Sequence, residues 1–516
     1  MQSKTVQESE FFSPTLRLGI VVFLFVTAFA VRTYRINEFP ANLSPGRPYH
    51  SIIIARGSYF ENLESIPEWR REVARINKKH RPIAEPRVFE TITVFAYRIA
   101  GGEYLWIPRL LSSIFWLVGG GVLYIFVKKL FSADAAVFSI LFYLFLPYGV
   151  SASRSFIPRP LMIMLLMFSL LTIFRHYEQP SIPRLLLAAI LSAPAIFVYP
   201  LAMFPVFGAF VSLAFYKDGI FKAVISPKFL LFAVIAFLPF VVYYVYNLLS
   251  DPFLSGHLEN LFSLSYLRGS FFWRGWFNQI QKVVGFPALV GGLIGVFMFR
   301  KGHARALSIG LWAGYLLYAL IFCYHNATHP YYQVILIPII ALSLGPIGAQ
   351  ITNYLSKTCT NWYWRIPVFA VIVLALILHL YRIRQQMFNP NFEREVKIAQ
   401  EVGNTVRHST KTILLTRFYM SPFKYHAEVS GKFWPDRGYF VASAMRGERI
   451  PSAEERFNTQ FLKDNPEYFI ITNFQEFMRQ PDLKNFLVQN FPVLAQNQNY
   501  LIFDLRKKSK TQKEKQ

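Results

Sequence analysis

The chain has 516 residues, 53% of them hydrophobic and 17% aromatic, with 54 Lys and Arg against 29 Asp and Glu. A soluble chain of this length would mix its apolar residues through a few domains; here they stand in long blocks separated by short basic loops, the pattern of repeated bilayer crossing. The net charge of +25 does not point to nucleic acid. Many of the cations sit at span ends, where anionic headgroups and the positive-inside bias account for them, and others fill the first large loop, where an anionic substrate does. Two cysteines, Cys323 and Cys359, imply neither a disulfide framework nor a cysteine metal site.

The first apolar block, residues 18–31, lacks a small-residue cleavage site and reads as a retained span. The apolar-run criterion gives about 11 spans in all. The others cover residues 106–127, 135–150, 161–174, 185–199, 201–216, 229–249, 286–299, 306–324, 332–351 and 366–381. Alternate loops carry Lys128 and Lys129, Arg175 and Arg184, Lys217 and Lys222, Arg300 and Lys301, then Lys357 and Arg365. The positive-inside rule puts these loops and the N-terminus in the cytoplasm of an inner (plasma) membrane and the C-terminal segment outside.

The expected fold class is mainly α: a polytopic transmembrane helical bundle over residues 1–383, with a large first outer loop at 32–105. Within that loop residues 88–99 read as an amphipathic helix at the membrane surface. Residues 384–505 read as a small α/β domain on the outer face, with strand-like runs at 412–416, 468–472 and 500–503. Residues 506–516 read as a disordered basic tail.

Three stretches carry a resemblance: Trp106-Ile-Pro-Arg-Leu-Leu-Ser-Ser-Ile-Phe-Trp116, Leu146-Pro-Tyr-Gly-Val-Ser-Ala-Ser-Arg154, and His329-Pro-Tyr-Tyr332 ahead of a span containing Pro338. In order and spacing the chain resembles the polytopic glycosyltransferases of the protein O-mannosyltransferase type, glycosyltransferase family 39, and the related bacterial aminoarabinose transferases, all of GT-C fold. The resemblance implies transfer of a sugar from a polyprenyl-phosphate donor to a lipid, glycan or protein on the outer face. It implies cations at headgroup depth for the phosphate, and a carboxylate as general base.

Arg47, Arg56, Arg154 and Arg159 are the candidate cations, since a guanidinium donates two hydrogen bonds to one phosphate. Their plain alternative is snorkelling at the interface. His329, Tyr331 and Tyr332 are candidate donors to phosphate or sugar, or else an aromatic belt. The acidic pair that relatives carry after the first span is absent: the stretch reads Gly46-Arg47-Pro48-Tyr49-His50. The next outer loop has Arg159 where relatives tend to have an acid. Glu85 and Glu90 are the substitutes for the base, with His50 a third candidate because its ordinary pKa is near neutral; the plain reading of each is a solvated loop side chain or interface histidine. No cofactor is required, and a divalent cation, which relatives sometimes use, has no support in the residues present. The missing acids keep an alternative open: an inactive relative that binds polyprenyl phosphates or partners an active enzyme.

Overall fold

The computed structural model describes residues 11–39, 46–81, 85–250, 267–359, 361–387, 392–445 and 449–507. Nearly all of the expected tail lies outside the described residues. The chain divides into two compact units. Residues 1–38, 82–89 and 106–387 form a membrane unit; residues 39–81, 90–105 and 388–516 form a second unit. Two pieces of the first outer loop thus belong to the same unit as the C-terminal segment.

In the membrane unit each apolar run falls on one helix or on two or three helices in succession. Among the described residues seven helices are long and apolar enough to span a bilayer. Two pairs bent by 64° and 95° raise that number to nine if each pair is one span. Ile182–Val198 is a shorter apolar helix, and Trp362–Met387 has 26 residues. The first bend has a local cause: Leu146 precedes Pro147 and takes the extended conformation (φ −58°, ψ 122°) that proline imposes on its predecessor. Pro147 then opens the next helix, where its missing N–H costs nothing. At the second bend Gly285 has φ 79°, a left-handed conformation suited to glycine.

Helices Met203–Asp218 and His303–Ile321 meet at glycines. A Cβ on Gly310 would lie 2.2 Å from the Gly208 carbonyl oxygen, and one on Gly314 would lie 2.4 Å from that of Phe204. Gly310 and Gly314 are the small residues of a GxxxG repeat, which lets two backbones pack closely where lipid supplies no hydrophobic drive.

One end of the unit is tied by Asp134, in the first turn of Ala133–Phe145. It accepts from the backbone N–H of Phe11 at 2.7 Å and of Phe12 at 3.3 Å, and pairs with Arg17 at 3.0 Å.

The second unit contains a five-stranded sheet in the order β2-β1-β3-β5-β4. The strands are β1 (Thr412–Leu415), β2 (Gly431–Phe433), β3 (Tyr468–Ile471), β4 (Val493–Gln496) and β5 (Leu501–Asp504). β1 runs parallel to β2 and β3, while β5 is antiparallel to β3 and β4. Ile413, Leu415, Phe469 and Ile471 face one core around Trp434; Leu414, Ile470 and Ile502 face another around Val402 and Ala427. Burial on both faces explains why the central strands read as unbroken apolar runs rather than alternating ones.

Candidate phosphate site and the placement of the expected residues

Arg159 opens the 20-residue helix Arg159–Glu178, held by Pro158 before it and Pro160 after it. It is 3% exposed. Its Nη2 donates to the Tyr199 hydroxyl at 3.0 Å, and its guanidinium lies over the rings of Tyr331 at 4.4 Å and Tyr199 at 5.1 Å. Tyr148 and Tyr332 are also within electrostatic reach. Among the described residues Arg159 has no carboxylate partner, and its Nε has no hydrogen-bond partner. Aromatic faces and a phenol stabilise a cation by about 0.5–2 kcal/mol each, too little to neutralise a buried guanidinium. The start of the helix adds its positive dipole end to the same place.

His329 flanks this cage, 5.1 Å from Tyr331 ring to ring. Burial first, and then the Arg159 charge, hold its imidazole below the ordinary value, so it is neutral near pH 7. The Thr328 hydroxyl donates its one proton to the Tyr324 carbonyl at 2.7 Å. It must therefore accept from His329 Nδ1, 2.6 Å away, which leaves Nε2 as an acceptor. In that tautomer His329 takes a proton from a hydroxyl rather than donating to a phosphate. Tyr332 is fixed through its carbonyl, which accepts from the Tyr318 hydroxyl at 3.1 Å.

Arg154 points elsewhere in the same unit. It is 2% exposed, and its Nη2 donates to the Tyr34 carbonyl at 2.6 Å. Arg109 donates to the Arg154 carbonyl at 3.2 Å and to the carbonyls of Ile36 and Glu38. Arg32 donates to Ser153 Oγ at 2.8 Å, Leu144 O at 2.9 Å and Ala28 O at 3.0 Å. These three arginines pin the chain leaving the first helix to the Ser153–Arg154 turn. The sequence reading did not single out Arg32 or Arg109, nor Tyr199 and Tyr148 beside Arg159. The quoted Trp106 and Leu146 stretches contain Arg109 and Tyr148, so a signal was present. Glu85 is half-buried, in the turn before helix Val88–Ala100.

In the second unit Arg56, on helix Gly46–Phe60, is paired with Glu103 at 2.9 Å and Glu428 at 3.4 Å, and lies 3.4 Å over the Tyr425 ring. Burial works against its charge, yet Glu103, Tyr425 and Glu428 hold the guanidinium above its ordinary value. Glu90 is 6% exposed and accepts from Ser51 Oγ at 2.5 Å. Arg47 and His50 are half-buried on the same helix as Arg56. Arg47 lowers the pKa of Arg81 after burial has done so, and Arg81 in turn acts on the buried Lys424, which burial chiefly brings down to about 7. The Tyr49 hydroxyl and His426 Nε2 share a hydrogen bond of 2.6 Å, and burial, then Arg56, keep the imidazole neutral, its pKa lowered to about 3.

Among the described residues no group of three or more His, Cys, Asp or Glu side chains comes together.

The arrangement of helices and appended sheet is that of the GT-C fold, in a multi-pass membrane protein. Residues 84–245 match the family described as dolichyl-phosphate-mannose-protein mannosyltransferase. Among solved structures, ArnT from Cupriavidus metallidurans bound to undecaprenyl phosphate superimposes with a TM-score of 0.60 at 13% identity, over 94% of this chain and 98% of that one. The archaeal oligosaccharyltransferase AglB from Archaeoglobus fulgidus, in complex with an inhibitory peptide and a dolichol-phosphate, gives 0.57 at 12% identity, over 92% of this chain and 72% of that one. No curated protein matches the sequence.

Proposed function

We propose that the chain is a membrane glycosyltransferase that takes a polyprenyl-phosphate-linked sugar beside Arg159 and passes the sugar to an acceptor on the outer face. One observation carries this reading. Arg159 is a buried cation met only by tyrosines, with an unpartnered Nε and no carboxylate among the described residues. Burying such a charge is costly unless an anion joins it. A phosphate esterified to a lipid is an anion that reaches this depth. The matched family and the undecaprenyl phosphate bound to ArnT support the same chemistry.

On this reading the phosphate is the leaving group, and Arg159 with the hydroxyls of Tyr199 and Tyr331 steadies the charge that grows on it. The acceptor hydroxyl needs a base. Glu85, Glu90 and His50 are the candidates from the sequence; the free acceptor face of His329 Nε2 adds another next to the cage. Arg47 and Arg154 remain candidates for the phosphate, whereas Arg56 is already paired with two carboxylates. We place the N-terminus in the cytoplasm and the second unit outside.

A second reading is a relative that binds the lipid without transfer. It is favoured by Glu90, whose carboxylate is buried and engaged by Ser51. Single-turnover incubation in nanodiscs with undecaprenyl-phosphate-linked sugars and a cell-envelope fraction as acceptor separates the readings. Transfer of sugar supports the enzyme. Binding without any turnover supports the second reading, and absence of binding overturns both.

A further inference from the structure

The sheet of the second unit has a feature independent of the lipid site. From β1 the parallel strands run outward in both directions, to β2 on one side and β3 on the other. Ligands in open α/β sheets bind in the crevice beyond the carboxyl ends of the strands at this point of reversal. Here that position holds a cavity of about 370 Å³, lined by Thr416 just after β1, Thr472 just after β3, and residues of helix Phe392–Thr405 and of the turn between β4 and β5. The volume is at the small end of the range for small-molecule sites.

A second observation points to a ligand. Thr416 lines the cavity and is 4% exposed, yet its Oγ1 has no hydrogen-bond partner among the described residues. An unsatisfied buried hydroxyl costs roughly 1–3 kcal/mol. Around it stand both donors and acceptors. Arg394 donates to Asn499 Oδ1 at 2.6 Å, which leaves the Asn499 amide N–H groups for another partner. Glu395 pairs with Arg417 only loosely, at 3.8 Å. Phe392, Phe418 and Phe474 add apolar surface.

This mixture narrows the chemistry. A phosphate or nucleotide needs a uniformly donating cradle, and Glu395 would repel it. The turn after β1 reads Thr416-Arg-Phe-Tyr-Met-Ser421, without the glycines that let a backbone approach a pyrophosphate. A sugar ring suits it instead: its hydroxyls both donate and accept, and its C–H faces pack on aromatic rings. We propose that this crevice binds a monosaccharide-sized unit of a glycan, with Thr416, Asn499 and Glu395 reading its hydroxyls. Burial raises the Glu395 carboxyl pKa, in keeping with a group that bonds to hydroxyls rather than to a full cation.

The proposal does not depend on the lipid site. The full chain in nanodiscs is applied to an array of monosaccharides and short envelope oligosaccharides, and the best-retained sugar is then titrated. Thr416→Val is expected to weaken retention at least about tenfold while leaving thermal stability unchanged or higher, because the hydroxyl it removes is unpaired without ligand. Asn499→Ala, a change at a partly exposed turn, is expected to weaken retention by a similar factor. Arg159→Gln should leave retention unchanged; its loss in that variant would assign the glycan to the membrane unit and overturn the proposal. Failure to retain any saccharide, retention indifferent to both crevice variants, or preference for inorganic phosphate or a nucleotide would overturn it as well.

Discussion

The buried arginines of the two units are answered by different groups. In the second unit Arg56 is closed off by Glu103 and Glu428 and stacked on Tyr425, so its charge is spent inside the fold. In the membrane unit Arg32, Arg109 and Arg154 donate to backbone carbonyls and a serine, with the Glu38 charge also acting on Arg154, and Arg159 donates to a tyrosine. Dipoles can hold a guanidinium in place without cancelling its charge. A cation met by carboxylates is therefore a structural element, and one met only by dipoles keeps a demand for an anion. Arg159, without a carboxylate among the described residues, combines that demand with an unpartnered donor and a cage of hydroxyl-bearing rings.

The largest effect should come from breaking the closed pair. Arg56→Met leaves the half-buried Glu103 without its cation, while Glu428 keeps Arg70 at 2.6 Å, and is expected to cost the second unit about 3 kcal/mol. Hydrogen exchange at β1 and β3 in the full chain measures this. Glu103→Gln should cost less, because Glu428 remains. Equal, negligible losses in both would show that Arg56 is not the closed group described.

Lys424 sharpens the contrast from the other side. It is 3% exposed, near Arg81, and has no ion pair among the described residues. Its folded pKa, about 7, lies below the ordinary lysine value. Charging it thus costs stability in full below pH 7, and that cost disappears as pH rises from about 7 toward 10.5. Lys424→Met is expected to stabilise the unit by about 1–4 kcal/mol and to flatten the rise. An unchanged pH profile in the variant would rule out Lys424 as its source.

His426 acts in a lower window. Its folded pKa of about 3 lies below the ordinary imidazole value of 6.5, so the neutral form is preferred in the fold. Its stability contribution is complete above 6.5 and is lost as pH falls toward 3. His426→Gln should remove part of the acid sensitivity of the unit while keeping a hydrogen bond to Tyr49. Acid unfolding with the same midpoint in the variant would contradict this.

Much of this architecture was legible in sequence for simple reasons. A bilayer requires about 20 apolar residues per span, so the helices announce themselves. β1, β3 and β5 are buried on both faces and therefore appear as Thr-Ile-Leu-Leu, Tyr-Phe-Ile-Ile and Leu-Ile-Phe-Asp. β2 and β4 lie at the sheet edges, are three and four residues long, and carry exposed polar positions, so no periodicity marks them. The union of residues 39–81 and 90–105 with the C-terminal segment rests on contacts more than 300 residues apart, such as Arg56 with Glu428, which local pattern does not encode. For the site, sequence indicated where arginines and tyrosines gather. Which arginine meets a carboxylate, which meets a carbonyl, and which meets Tyr199 follows only from packing.

The central claim is that Arg159, unlike Arg56, is held for a lipid phosphate. Titration of undecaprenyl phosphate into the protein in nanodiscs, at low and high salt, tests it directly. Arg159→Gln should weaken binding about 10–100-fold, with the larger loss at low salt because the contact is electrostatic. Glu103→Gln, a change in the closed network, should leave affinity as in the unaltered chain. Unchanged affinity in Arg159→Gln at every ionic strength would contradict the account.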